Sequence, residues 1–301
     1  MVIYEHVKGI LSVPCYLDNG DYAGYTTDIS FTDSDIIRDS CSIKSSACDS
    51  STFSLGSVRP AELSIQLHLE QDGINAYNLY GAKIILYSCY QKEPKPSDWI
   101  FRGMFWVTSV SRKKTLYTLR ASDALVWLNN NSISSGSGKV DDDESEVSKK
   151  LRAKLEGYEG ESGGGGVYPL HDIVTDIVTW TNDILQNMIA EKPLTYEPID
   201  SIPNNNPKLG NSYNGYTLMR KSEEGESRNT RYSAIDYISA LAKPACSFVC
   251  MRNDRYQNND SQVPFSLVPF GFFKDKIRVP FFAIARDSCD VASYNIYIQK
   301  V

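Results

Sequence analysis

Glu62-Leu-Ser-Ile-Gln-Leu-His-Leu-Glu70 decides how this chain is read. Leu63, Ile65, Leu67 and Leu69 alternate with polar residues, the period of a strand with one buried and one wet face. Lys83-Ile-Ile-Leu-Tyr-Ser-Cys-Tyr90, Ile100-Phe-Arg-Gly-Met-Phe-Trp-Val-Thr-Ser-Val110 and Thr115-Leu-Tyr-Thr-Leu-Arg-Ala121 extend the theme downstream. Asp18-Asn-Gly20, Gln71-Asp-Gly73 and Pro94-Lys-Pro-Ser97 supply turn chemistry around these runs. Short antiparallel strands at such spacing predict a barrel or sandwich over residues 1–130. Ser122 or Asp123 is placed to cap a short helix, Ala124–Leu128, that closes the unit.

Residues 131–167 change character. A Ser/Gly stretch, the acidic run Asp141-Asp-Asp-Glu144, a charged helix around Glu144–Glu156 and Gly163–Gly166 read as a linker or exposed excursion. From 168 to 230 the chain reads as a helical and loop insert. Pro169 opens an amphipathic helix with Ile173, Ile177, Trp180, Ile184 and Met188 on one stripe, thickened by Val174, Val178, Leu185 and Ile189. Residues 193–230 are rich in Pro, Asn, Gly and Ser and read mostly as loop. The last unit, 231–301, starts with a helix capped at Thr230, with Tyr232, Ile235, Ile238 and Leu241 buried and Pro244 ending it. Strands Ala245–Met251, Val263–Phe270 and Ser293–Gln299 come next, and Pro264 and Pro269 predict an edge or bulged position for the second.

Composition narrows the function classes. Hydrophobic residues make up 42% and charged residues 23%, which supports real cores in a globular chain. Met1-Val-Ile-Tyr-Glu-His-Val-Lys8 offers no apolar signal region, and no run approaches the ~18–20 apolar residues of a membrane span, so folding in the cytoplasm is expected. The net charge of −6, with scattered Lys and Arg, lacks the basic stripe that tracks a phosphate backbone, so DNA passing nearby should be repelled.

Chemistry-bearing residues are sparse. The histidines are His6, His68 and His171: a terminal residue without a motif, a solvated strand position and a helix start. Gly160-Glu-Ser-Gly-Gly164 has the letters of a nucleophile elbow, but no strand leads into it. Ser137-Gly-Lys-Val140 fails as a phosphate loop, because Ile133 stands where the first Gly belongs and Val140 where Ser or Thr belongs. Asp141–Glu144 lacks the alternation and the Gly of a calcium loop. Cys246 and Cys250 are half a zinc site without a second half, and the seven cysteines read as small buried residues in a reducing compartment. No catalytic, cofactor-binding or metal-ligating residue is expected, and the chain reads as a non-enzyme. The 19 Tyr, 11 Phe and 4 Trp read as core and interface packing.

One resemblance joins the pieces. Ser34-Asp-Ile-Ile-Arg-Asp-Ser-Cys-Ser-Ile43, Thr52-Phe-Ser-Leu-Gly-Ser57, Ala61–Leu67, Tyr80-Gly-Ala-Lys-Ile-Ile-Leu86, Phe101-Arg-Gly-Met-Phe-Trp-Val107 and Thr118-Leu-Arg-Ala-Ser-Asp-Ala-Leu125 occur in that order. This series resembles the N-terminal region of tail hub proteins from long-tailed and contractile phages. Thr230–Ala242 looks like the later helix of that family. The resemblance implies a mainly β chain with α elements (α+β), carrying two tube-like antiparallel β-barrel domains with a helical insert between them. It implies a homotrimer that presents six barrels to a sixfold tail tube or distal tail protein and docks a threefold spike or tip below. A tape-measure protein or DNA would pass through the lumen without specific binding, and the particle would be the virion, assembled in the host cytoplasm. The chain ends at Val301, where many relatives continue into a lysin or fibre region, and the 131–167 segment has no counterpart in them. A distal tail or wedge protein, a carbohydrate-binding adhesin and a hydrolase are the competing expectations.

Overall fold

In the main sheet, strands form where the sequence pattern predicts them and at three places where it is weaker. In chain order they are β1 (His6–Tyr16), β2 (Tyr22–Thr32), β3 (Ser42–Lys44), β4 (Glu62–His68), β5 (Lys83–Cys89), β6 (Ile100–Lys113) and β7 (Leu116–Ser122). They make one antiparallel sheet in the order β2-β1-β5-β6-β7-β4-β3. The structure, a computed structural model, describes residues 6–18, 22–45, 56, 58–70, 79–129, 132–135, 170–189, 192–199, 230–243, 245, 247–256 and 262–269. The strand expected at Ser293–Gln299, the charged helix around Glu144–Glu156 and the Gly-rich run lie outside them.

The register shows why alternation decides this sheet. Leu63, Ile65 and Leu67 stand opposite Ala121, Leu119 and Tyr117, and all six are buried. Each large aliphatic side chain buried this way contributes about 1.5–3 kcal/mol. Leu11 and Val13 of β1 and Ile29 and Phe31 of β2 enter the same core. Strands β2 and β4 are far apart in sheet order, so a shared core requires the sheet to roll. The turn after β2 completes the roll on one side: Ile36 bridges Leu67, the Ile37 amide donates to the Gln66 carbonyl (3.0 Å), and the His68 amide donates to the Asp35 carbonyl (2.7 Å). Strands β2 and β3 do not pair among the described residues, so the roll stops short of a closed barrel there.

Strand β6 breaks the alternation, and the break is informative. Met104, Phe105, Trp106 and Val107 are all buried. Phe105 and Val107 face into the roll, while Met104 and Trp106 face out into a second core. Gly103 makes room in this strand, since a Cβ there would stand 2.7 Å from the Phe105 ring.

The second core belongs to a cap of helices and small sheets. Its elements are α1 (Val126–Asn129), β8 (Ser132–Ser135), α2 (Leu170–Ile189), β9 (Thr195–Tyr196), β10 (Thr230–Ser233), α3 (Ala234–Ala242), β11 (Ser247–Met251) and β12 (Pro264–Pro269). The apolar stripe of α2 is buried as its spacing predicts: Ile173, Val174, Ile177, Val178, Trp180 and Leu185 all join Met104 and Trp106. Asn182 then anchors the segment leading into β9, because its amide donates to the Leu194 carbonyl (2.7 Å) and accepts from the Leu194 amide (3.1 Å).

Three local expectations are corrected. The cap of α3 is Ser233, not Thr230: Ser233 Oγ accepts from the Asp236 amide (3.3 Å) and Asp236 Oδ2 accepts from the Ser233 amide (2.9 Å). Thr230 lies in β10, which pairs with β8, so part of the stretch read as linker is a strand. Finally, β12 is the central strand of the sheet β11-β12-β9, not an edge. Pro264 and Pro269 occupy its two ends, so the residues between them keep the donors that the ladder needs. The second barrel is not seen in the described part of 231–301, where β11 and β12 recruit β9 in parallel.

Candidate functional site

The ionisable residues singled out from the sequence are dispersed. His6 Nδ1 meets Asp33 Oδ2 at 2.7 Å, and the other oxygen of Asp33 accepts from the Val7 amide at 2.6 Å. His68 Nε2 meets Thr115 Oγ1 at 2.8 Å on the solvated face of β4. His171, in the first turn of α2, meets the Tyr196 hydroxyl at 2.6 Å, and burial raises the pKa of that hydroxyl. Each imidazole has a structural partner, and no two of them meet. Cys250 lies in β11; Cys246, Asp141–Glu144, Ser137–Val140 and Gly160–Gly164 lie outside the described residues. Among the described residues no cluster of His, Cys, Asp or Glu could hold a metal ion.

One carboxylate is fully internal. Asp123, at the end of β7, accepts from the Ala61 amide (2.9 Å) through one oxygen and from the Leu125 amide (3.0 Å) through the other. Burial pushes its pKa up to about 7, against the lowering effect of both donors. The side chain expected to cap a helix therefore does more: it ties the start of β4 to the start of α1. It is a clip between the two elements.

The seam between sheet and cap is aromatic and hydrogen-bonded, with ion pairs bracing its cap side. Tyr256 stacks on Phe101 with centroids 3.8 Å apart and 9° between planes, and its hydroxyl meets that of Tyr87 at 3.0 Å. Burial and the Tyr256 bond raise the pKa of Tyr87. Asn253 Nδ2 donates to the Arg102 carbonyl (3.0 Å). Arg252, 4% exposed, donates to both oxygens of Asp254 (2.9 and 2.8 Å) and holds that carboxyl below the usual range. Arg255 reaches Glu197 at 3.3 Å. The Tyr256 and Asn253 contacts fix the cap on the outside of β5 and β6, and the ion pairs hold the turn that carries them.

What remains accessible is surface. Tyr16, Leu17 and Tyr80 are exposed at the end of the sheet where β1 finishes and β5 begins, and Tyr90 and Ile100 are exposed where β5 finishes and β6 begins. The two groups thus lie at opposite ends of the roll. Exposed apolar residues at strand ends are the kind of surface that subunit contacts cover. A second feature escaped the sequence reading: Arg112, Lys113 and Lys114 form an exposed basic tip on the β6–β7 hairpin. The signal was present as three consecutive cations between two alternating runs. Among the described residues, no helix is long and apolar enough to cross a membrane.

Comparison with known proteins adds little to this geometry. No protein-family description matches the chain, and no curated protein matches it. Among solved structures, it is similar to a chain of the virion of a native gene transfer agent particle, at 12% identity and a TM-score of 0.28. That match covers 45% of this chain and 44% of the other, so this chain spans less than half of its neighbour's length, and likeness at this score assigns neither fold nor role.

Proposed function

We propose that this chain is a non-enzymatic structural subunit of a phage tail or tail-like particle, the hub below the tail tube. In this reading three copies close around an axis, with a tail tube or distal tail protein above and a spike or tip below. One observation carries the reading. The motif series of the resemblance falls on adjacent strands of a single rolled sheet: Ala61–Leu67 on β4, Tyr80–Leu86 on β5, Phe101–Val107 on β6 and Thr118–Leu125 on β7 and the clip into α1. Exposed apolar residues at both ends of that roll, and ionisable side chains spent on structural bonds, suit burial between chains better than turnover in a pocket.

A second reading has its own support. The described residues hold one rolled sheet, not two. A chain with one tube-like unit would match a sixfold tube with six copies, as in a distal tail ring. Native mass spectrometry separates the two: a hub gives trimers, a ring gives hexamers. A chain that stays monomeric at high concentration, or that degrades peptidoglycan with loss of activity on changing one carboxylate, overturns both.

A further inference from the structure

Strand β6 is longer than its neighbour β5. Their ladder ends at Lys83 opposite Trp106, and the Gly81 amide donates to the Val107 carbonyl as its last bond. Beyond a bulge between Val107 and Ser109, β6 pairs only with β7. Residues Thr108–Lys113 continue past β5, on the order of 20 Å at strand rise. Thr108, Ser109 and Ser111 through Thr115 are exposed, so this is the most solvated part of the sheet.

The tip carries charge of the wrong sign for the chain. The molecule has net charge −6, yet Arg112, Lys113 and Lys114 stand together at the turn. Lys114 has a positive φ of 58°, which makes the turn tight, and the Arg112 guanidinium lies 5.1 Å from the centre of the Tyr117 ring while Nε donates to the Lys114 carbonyl (2.7 Å). None of the three forms an ion pair with a described residue. Glu70, one residue beyond the Leu69–Thr115 hydrogen bond, lies against His68 instead (3.7 Å). A cation cluster held out on a hairpin, with no counter-charge among the described residues, offers a site for an anionic surface.

From this we infer that the β6–β7 hairpin tip is a docking element for the acidic run Asp141-Asp-Asp-Glu144 of a second copy of the chain. Charge complementarity selects the occupant: this run is the densest acidic stretch in the sequence. The second copy is selected by the overall charge, because copies of net charge −6 repel one another unless opposite patches meet. The inference rests on the proposed assembly and specifies one contact within it.

A charge swap tests the contact. Lys113→Glu/Lys114→Glu and Asp142→Lys/Asp143→Lys are made as separate chains, and self-association is followed by sedimentation near physiological ionic strength. Each variant alone is expected to associate about tenfold more weakly or worse, and the wild type to weaken in high salt. The four substitutions combined in one chain should recover association, because the acidic tip of each copy then meets the basic run of the next in a ring of any number. Circular dichroism keeps misfolding apart from lost contact, and the neutral pair Lys113→Gln/Lys114→Gln should weaken association less than the glutamates. Association left intact by either swap alone, or losses not recovered on combining the two, overturns the contact alone. A wild-type chain that never associates overturns the contact and the assembly together.

Discussion

The rolled sheet and the cap are built by different physics. In the sheet, backbone ladders fix the strands and the side chains follow the pleat, so Leu63, Ile65 and Leu67 reach the core because they alternate. In the cap, strands are short and side chains do the fixing: Asn182 clamps Leu194, Ser233 caps α3, and Arg252 grips Asp254. The sheet's ladders join strands far apart in the sequence, as Leu63 to Ala121, whereas these cap contacts link residues close in the chain. Trp106 is one of the places where the two systems touch.

Trp106→Ala breaks that joint and should have the largest effect. The indole is 2% exposed and packs edge-on to Trp127, with centroids 6.4 Å apart. Its removal should cost about 3–5 kcal/mol. Hydrogen exchange should show β11 and β12 amides losing protection while those of β1 and β4 keep most of theirs. Equal loss in both regions would mean the molecule has one cooperative core, with sheet and cap inseparable.

The same contrast explains what could be read in advance. Strands β4 and β7 were legible because they alternate between a buried and a more exposed face, and β5 and β6 because their β-rich apolar runs stand between turn residues. Strands β1 and β2 were not singled out: Pro14 interrupts the first, and Gly9 supplies no side chain because Phe31 lies where its Cβ would be, 2.3 Å away. Met104-Phe105-Trp106-Val107 carried a further signal, since an unbroken apolar run marks a strand covered on both faces. It pointed to a second core outside the sheet. The expected edge position of β12 failed because proline placement was read without the ends of the strand. His68 and His171 stand where their contexts placed them, on a solvated strand face and at a helix start, whereas the basic tip was visible and passed over.

Asp123 offers the next test, through pH. Its carboxyl has a pKa of about 7 in the folded chain against 3.8 when exposed. Between those values the folded state holds a proton that the unfolded state has released. Stability from this group is therefore fully present below about pH 4, falls as pH rises toward 7 and is level above it, a change on the order of a few kcal/mol. Asp123→Asn should flatten this part of the profile when denaturant midpoints are compared with the wild type across the window. Unchanged slopes would show that the clip does not titrate there.

Gly56→Ala probes how the cap meets the sheet's long β3–β4 connection. Gly56 has φ +77°, and a Cβ there would stand 2.4 Å from the Ser239 carbonyl and 2.5 Å from Lys243 Cγ. The backbone strain alone costs about 1–3 kcal/mol. The loss should appear as a lower midpoint with weakened protection at the end of α3. A neutral result would mean that α3 has room to shift while the Gly56 amide keeps its hydrogen bond to the Ser247 carbonyl (2.8 Å).

The smallest expected effect is the most specific to the cap. Ser233→Ala removes the side chain that accepts from the Asp236 amide and also donates to Asp236 Oδ2 (2.7 Å). A lost cap of this kind costs about 1 kcal/mol. Thr230→Ala, at the position the sequence alone suggested, should cost less, since that residue lies in β10 opposite Ser135 and the helix cap is Ser233. Thermal melts of the two variants, measured side by side, decide between a helix that starts after Ser233 and one that starts after Thr230. If the Thr230 variant is the weaker, the strand β10 does not run directly into α3, and the cap's helix begins where local spacing first placed it.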